Sequence, residues 1–203
     1  MHTPGKIHCR LFIYGVIVFA LSGCGLPPPN LQQLAPIPQD NICRVAILPF
    51  NNETSYSQGD IVLYRVFAAE LSHMGNFMII PEGDVYKILH QMHIVPGEDF
   101  NIEQIRILAD RLQVQLLISA NIIEMDEEVD VGRTNPRLAV IFRIIDPESG
   151  RVLWVTYHRR EGGQYRKIMH FGVVNTVTEL VRRVSHEVVD NWFQVGGLPQ
   201  CVE

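Results

Sequence analysis

The chain has 203 residues, which suits one domain with an appendage rather than several domains. Hydrophobic residues make up 47% and charged residues 19%, so wholesale disorder is excluded. A formal charge of −5 leaves no basic footprint for a nucleic-acid partner.

The N-terminal segment carries Lys6 and Arg10 and has no acidic residue before Asp40. An apolar run follows from Leu11 to Leu21, and small residues close it at Ser22 and Gly23. A basic start, a short apolar stretch and a small-residue cut site describe a secretory signal over residues 1–23. The run is too short for a membrane span, which needs about 20 apolar residues.

Leu21-Ser22-Gly23-Cys24 resembles the bacterial lipobox. The resemblance implies that Cys24 becomes the first residue of the mature chain and carries covalent acyl groups, palmitate among them. Such a lipid is the only cofactor expected. Many lipoproteins retained at the inner membrane carry Asp after the cysteine. Gly25 therefore implies, by resemblance, the periplasmic face of the outer membrane. Losing Lys6 and Arg10 leaves 15 basic against 22 acidic side chains, a mature charge of −7. An anionic domain gains nothing from an anionic lipid surface, so the lipid must anchor it.

Five of the 17 residues from Gly25 to Asn41 are proline. Residues 24–41 therefore read as a lipidated cysteine and an extended tether, reaching roughly 50 Å at about 3.1 Å per residue. Leu31, Leu34 and Ile37 leave a second reading open, an arm lying on this domain or a neighbouring one.

Residues 42–195 read as one domain. Arg44 to Phe50 is a short apolar run ended by Pro49 and Phe50, and predicts a buried strand. Asn51, Asn52 and Glu53 follow as a polar loop. Asp60 is positioned to cap a helix with Ile61, Tyr64, Ala68 and Leu71 on one face, stopped by Gly75-Asn76. Phe77 to Ile80 predicts a second buried strand. Asp84 is positioned to cap a short helix with Val85, Ile88, Leu89 and Met92 inward. Asn101 with Gln104 predicts a capping box, and Ile102, Ile105, Leu108 and Leu112 share one side of the helix behind it. Leu116 to Ile123 and Leu138 to Ile145 predict long strands. Asp146 to Gly150 has turn chemistry, and Val152 to Tyr157 returns as the hairpin partner. From Val173 to Trp192, apolar residues recur at three- and four-residue steps, with Glu179, Arg182, Arg183 and Glu187 on the wet side. The fold class is α/β (α+β): a mixed five-stranded sheet in the order βαβααβββα, parallel early and antiparallel later, with helices packed on it. Residues 196–203 form a C-terminal tail.

Val45-Ala46-Ile47-Leu48-Pro49-Phe50, the Asn51-Asn52 loop and the Ile145-to-Trp154 hairpin resemble a group of periplasmic lipoprotein domains. The group includes the curli secretion lipoprotein CsgG, LpoB, PelC and the N-terminal domain of TolB. The likeness is strongest to PelC-type single-domain members and spans roughly residues 44–194. It implies a non-enzymatic assembly or interaction module in envelope biogenesis or export, with a protein partner in the envelope and a homo-oligomer as one form. An LpoB-like tethered activator of a cell-wall synthase is the alternative role. CsgG forms a membrane barrel from long inserted hairpins; the connections expected here are short.

Catalytic signatures are weak. There is no Gly-x-Ser-x-Gly elbow and no phosphate-loop lysine beside Gly162-Gly163. A periplasmic hydrolase or metalloenzyme therefore stands only as the alternative from another class. His90 and His93 lie three apart, but zinc needs three or four ligands, so no metal site is expected. Glu124, Asp126, Glu127, Glu128 and Asp130 form the densest charge run, read as a solvated loop or as an acidic rim in a ring. Arg159, Arg160, Arg166 and Lys167 form a basic cluster. Both are candidate partner contacts. Cys9 leaves with the signal and Cys24 takes lipid, so Cys43 and Cys201 remain as an even pair suited to a disulfide in an oxidising compartment.

Overall fold

The structure is a computed structural model and describes residues 26–38, 41–95, 100–130, 133–167 and 171–202. The signal segment and Cys24 lie outside the described residues.

Seven strands form one mixed sheet. They are β1 (Asn30–Gln33), β2 (Arg44–Ile47), β3 (Asn51–Asn52), β4 (Met78–Ile79), β5 (Leu116–Asp130), β6 (Arg133–Ile145) and β7 (Val152–Glu161). The helices are α1 (Gly59–Met74), α2 (Glu82–Gln91), α3 (Ile102–Leu112) and α4 (Val177–Gln194), with a 3-10 turn at Gly162–Tyr165. The strand order is β1-β7-β6-β5-β2-β4, and β3 pairs with β5. β2 runs parallel to β4 and β5, whereas β5, β6, β7 and β1 are antiparallel. The expected class and the parallel-then-antiparallel order hold. The sheet gains two strands over the five expected, β1 and β3, because both are short polar segments whose pairing is carried by the backbone.

Two cores flank the sheet. On one face α1 and α4 pack Leu63, Phe67, Leu71, Leu180, Val184 and Trp192 against Ile47, Ile118, Val140 and Phe142. The Phe67 and Phe142 rings stack at 4.5 Å, and both meet the Trp192 ring edge-on. The Trp192 indole N–H donates to Thr156 Oγ1 at 2.7 Å, which satisfies the one polar atom of a fully buried ring. On the other face α2 and α3 pack Val85, Leu89, Ile105 and Leu108 against Ala46, Leu48, Leu117 and Ile145. β2 and the start of β5 are thus covered on both sides, which explains their unbroken apolar runs.

Local chemistry sets most boundaries. Asn101 and Gln104 form the reciprocal capping box at α3. Asp60 and Asp84 do not cap; each lies inside its helix's first turn, where a carboxylate still favours the positive end of the helix dipole. α4 begins at Val177 behind a Thr176 cap, not at Val173. Met78 is exposed, since β4 is a two-residue edge strand. Ile102 is also exposed, although the rest of its predicted face is buried. In the β6–β7 turn, the Asp146 carboxylate accepts from the Glu148 and Ser149 amides and the Ser149 hydroxyl. Gly150 closes that turn at φ +69°, a conformation natural to glycine.

Candidate functional site

The proline-rich segment is not a free spacer where it is described. Asn30 to Gln33 pair antiparallel with Tyr157 to Trp154, and the Leu34 and Ala35 amides donate to the Leu153 carbonyl. The arm reading holds for Leu31 and Ile37, which pack against the core together with Ala35, but not for the side chain of Leu34, which is exposed; the chain traverses the sheet's edge. The free edge of β7 supplies unpaired backbone groups, and the arm satisfies them.

Arg160 anchors the start of the arm. Alternation along β7 turns Thr156, His158 and Arg160 inward toward α4, and all three are buried. Arg160 Nη2 donates to the Pro27 carbonyl at 2.5 Å, and its Nε donates to Glu187 Oε2 at 2.8 Å. The same Glu187 oxygen lies 2.5 Å from His158 Nε2, and the Tyr165 hydroxyl donates to Glu187 Oε1 at 2.7 Å. Burial works to raise the Glu187 pKa. The hydrogen bonds from His158 and Tyr165 and the charges of Arg160 and His158 outweigh it, so the carboxyl sits below its ordinary value. Burial and the Glu187 carboxylate push the Tyr165 hydroxyl upward. Glu187 therefore does not lie on the wet side of α4 as expected; it is the shared acceptor of an inward cluster. A cleft of about 310 Å³ beside it is lined by Leu26, Pro28, Pro29, Asp190 and Asn191 among others.

The basic cluster is therefore divided. Arg160 points inward. Arg159 points outward and pairs with Glu124 at 2.8 Å and Glu161 at 3.0 Å. Arg166 and Lys167 are exposed beyond the strand end. Gly162 has a structural role: a Cβ there would lie 2.0 Å from the Val174 carbonyl oxygen.

The acidic run is strand, not loop. A bulge at Ile123 resets the alternation of β5, placing Met125 in the core and Glu124 and Asp126 on the outer face. Arg137 pairs with Asp126 at 3.0 Å and with Glu124 at 3.4 Å, and the Arg159 hydrogen bond holds the Glu124 carboxyl below its ordinary value. Glu127 accepts from the Val177 amide at 2.7 Å and so tethers the start of α4. The side chains of Glu128 and Asp130 lie outside the described residues. The three described acids are thus neutralised or used in packing, which removes their part in an acidic rim.

The β5–β6 hairpin is long, contrary to the short connections expected. Its outward positions are charged at Glu124, Asp126 and Arg137; of the inward ones Met125 and Leu138 are buried, while Glu127 and Val129 nearer the tip are exposed. The charged outward row does not suit a lipid-facing barrel strand. The α2–α3 pair covers only the Ile145 and Val152 ends of β6 and β7, leaving Ile123 and Tyr157 exposed, with Ile141 and Val155 half-buried beside them. The result is a small apolar patch in a frame of paired charges. Next to it, a cleft of about 300 Å³ holds Arg143, which donates to Asn121, which in turn donates to Glu53.

Cys43 and Cys201 are disulfide-bonded, with Cα atoms 4.4 Å apart. Asn41 exchanges two hydrogen bonds with Val202, and Asn76 donates to the Cys201 carbonyl, so the tail is fixed beside the start of β2. His90 lies in the last turn of α2, and His93 lies beyond the helix at φ +56°. Among the described residues no group of three or more His, Cys, Asp or Glu side chains is placed to hold a metal. No helix among them is long and apolar enough to cross a membrane.

No protein-family model matches this chain, and no curated protein matches it. Solved structures do. The PelC dodecamer of Paraburkholderia phytofirmans aligns at TM-score 0.55 and 15% identity, over 86% of this chain and 99% of that one. The lipoprotein GNA1162 of Neisseria meningitidis aligns at TM-score 0.55 and 16% identity, over 77% and 99%. The LpoB C-terminal domain of Escherichia coli aligns at 0.41 and 10%, over 71% and 93%, and carries no argument. The fold is thus the one expected from the sequence, shared by PelC and GNA1162 over nearly their whole lengths.

Proposed function

We propose that this protein is a lipid-anchored envelope component whose domain works without catalysis, as a self-associating module in outer-membrane export or assembly. The observation that carries the reading is the open outer face of β5, β6 and β7. Ile123 and Tyr157 are exposed there, within a frame of compensated charge that suits a second protein surface. Two features support it. The fold is shared with PelC, which forms a dodecamer, and with the lipoprotein GNA1162. The Leu21–Cys24 segment has lipobox character.

Light scattering on residues 25–203 tests the reading. The expected result is an oligomer, and Tyr157→Arg, which places an unpaired cation in the patch, is expected to disperse it to monomers without lowering Tm by more than a few degrees. A clean monomer at high micromolar concentration would favour the rival, a tethered activator acting on one enzyme.

A further inference from the structure

The arm cluster fixes how far the domain stands from its anchor. Arg160 is 3% exposed, and its guanidinium binds the Pro27 carbonyl from inside the sheet–helix layer. Only three residue steps separate Pro27 from Cys24, so the two Cα atoms are at most about 11 Å apart, at about 3.6 Å per residue. A free tether would have allowed roughly 50 Å.

That end of the molecule is identifiable from strand register. Pro27 lies at the Arg160 end of β7, beyond the Asn30–Tyr157 pair. Arg137 faces Glu161 in β6–β7 and Asp126 in β5–β6, so β5 and β6 run on past the same end, as far as the Asp130–Arg133 pair. The segment after the 3-10 turn returns there, where the Lys167 amide donates to the Phe171 carbonyl. Three apolar side chains are exposed at this end: Phe171 (75%), Val129 (70%) and Leu26 (40%). Arg166 and Lys167 are exposed beside them. The opposite end holds the Cys43–Cys201 bridge and β4.

We propose that the end bearing Leu26, Val129 and Phe171 is a bilayer-seating surface, pressed onto the lipid headgroups by a leash of three residues that Arg160 shortens. The proposal rests on the lipid anchor at Cys24. A lipid-linked residue sits at the headgroup boundary, so a leash of at most about 11 Å holds Pro27 close to the zone of about 5–10 Å in which interfacial groups bury, and the end of the sheet beyond Pro27 faces the bilayer. Arg166 and Lys167 then face headgroup phosphates. The strands of the sheet lead away from the membrane, and the disulfide end faces the periplasm.

The test uses the mature lipoprotein, purified from membranes and reconstituted into vesicles of phosphatidylethanolamine and phosphatidylglycerol doped with a nitroxide-headgroup lipid. Phe171→Trp places an indole at the seating end, and Met78→Trp places one on exposed β4 at the far end. Trp154 and Trp192 are buried and are subtracted using the unsubstituted chain. The expected result is a blue shift and loss of most of the added emission for Phe171→Trp, with Met78→Trp unquenched. If the protein floats with the vesicles and the Phe171→Trp indole stays unquenched, the seat is wrong and the anchor stands. If the protein does not float, the anchor reading fails and the seat fails with it.

Discussion

At the residue scale, Glu187 gathers three different side chains on one carboxylate. It accepts from His158, Arg160 and Tyr165 and fixes the arginine that grips the arm. Its pKa is lower in the fold than the ordinary carboxylate value of 4.5. Its contribution to stability is therefore fully present above about pH 4.5 and is lost as pH falls through the depressed folded value. Glu187→Gln leaves Arg160 buried with no carboxylate partner and is expected to destabilise by about 3–5 kcal/mol at pH 7. Urea denaturation of both proteins as a function of pH checks this. The gap between them should narrow below pH 4.5, and a gap that is constant down to pH 3 contradicts the assignment. The sequence offered one usable sign of this cluster: Thr156, His158 and Arg160 alternate on a strand whose earlier inward position is Trp154. It offered none that Glu187 was the partner, because a helix face is read from its apolar stripe, and Glu187 borders that stripe.

At the element scale, the strands that were legible are those buried by helices. Val45 to Leu48 and Leu116 to Ile118 are apolar on both faces because α1 and α4 cover one side and α2 and α3 the other. The capping box at Asn101 was legible because both partners lie within four residues. Two elements were not. β1 is held by backbone pairing to an edge more than 120 residues away, and the prolines on either side of it read as a spacer. The second half of β5 reads as a charged loop because the bulge at Ile123 breaks the alternation, and its outward acids find their cations on β6 and β7. The C-terminal tail was legible through its cysteine. The bridge closes a loop of 158 residues, and the chain-entropy model assigns such a loop about 5 kcal/mol as an upper figure. Cys43→Ser with Cys201→Ser is expected to lower Tm by several degrees, read by calorimetry with and without reductant. An unchanged Tm would mean that the hydrogen bonds of Asn41 and Asn76 hold the tail alone.

At the scale of the whole molecule, the sheet has one end and one face available to partners. The arm closes one edge of the sheet, helices cover one face completely and the other in part, and the disulfide ties the tail to the far end. What remains open is the Ile123–Tyr157 patch and the end at which the chain leaves toward Cys24. A patch on the side and an anchor at the end allow copies to stand next to one another on a membrane while each keeps its own lipid. The most direct measurement is native mass spectrometry of the intact protein, extracted from membranes in mild detergent. It reads the number of copies and the mass of each subunit together. The account predicts an assembly of several copies, each beginning at Cys24 and carrying the mass of its acyl groups. Monomers, or subunits that keep residues 1–23 or lack acyl mass, would contradict it.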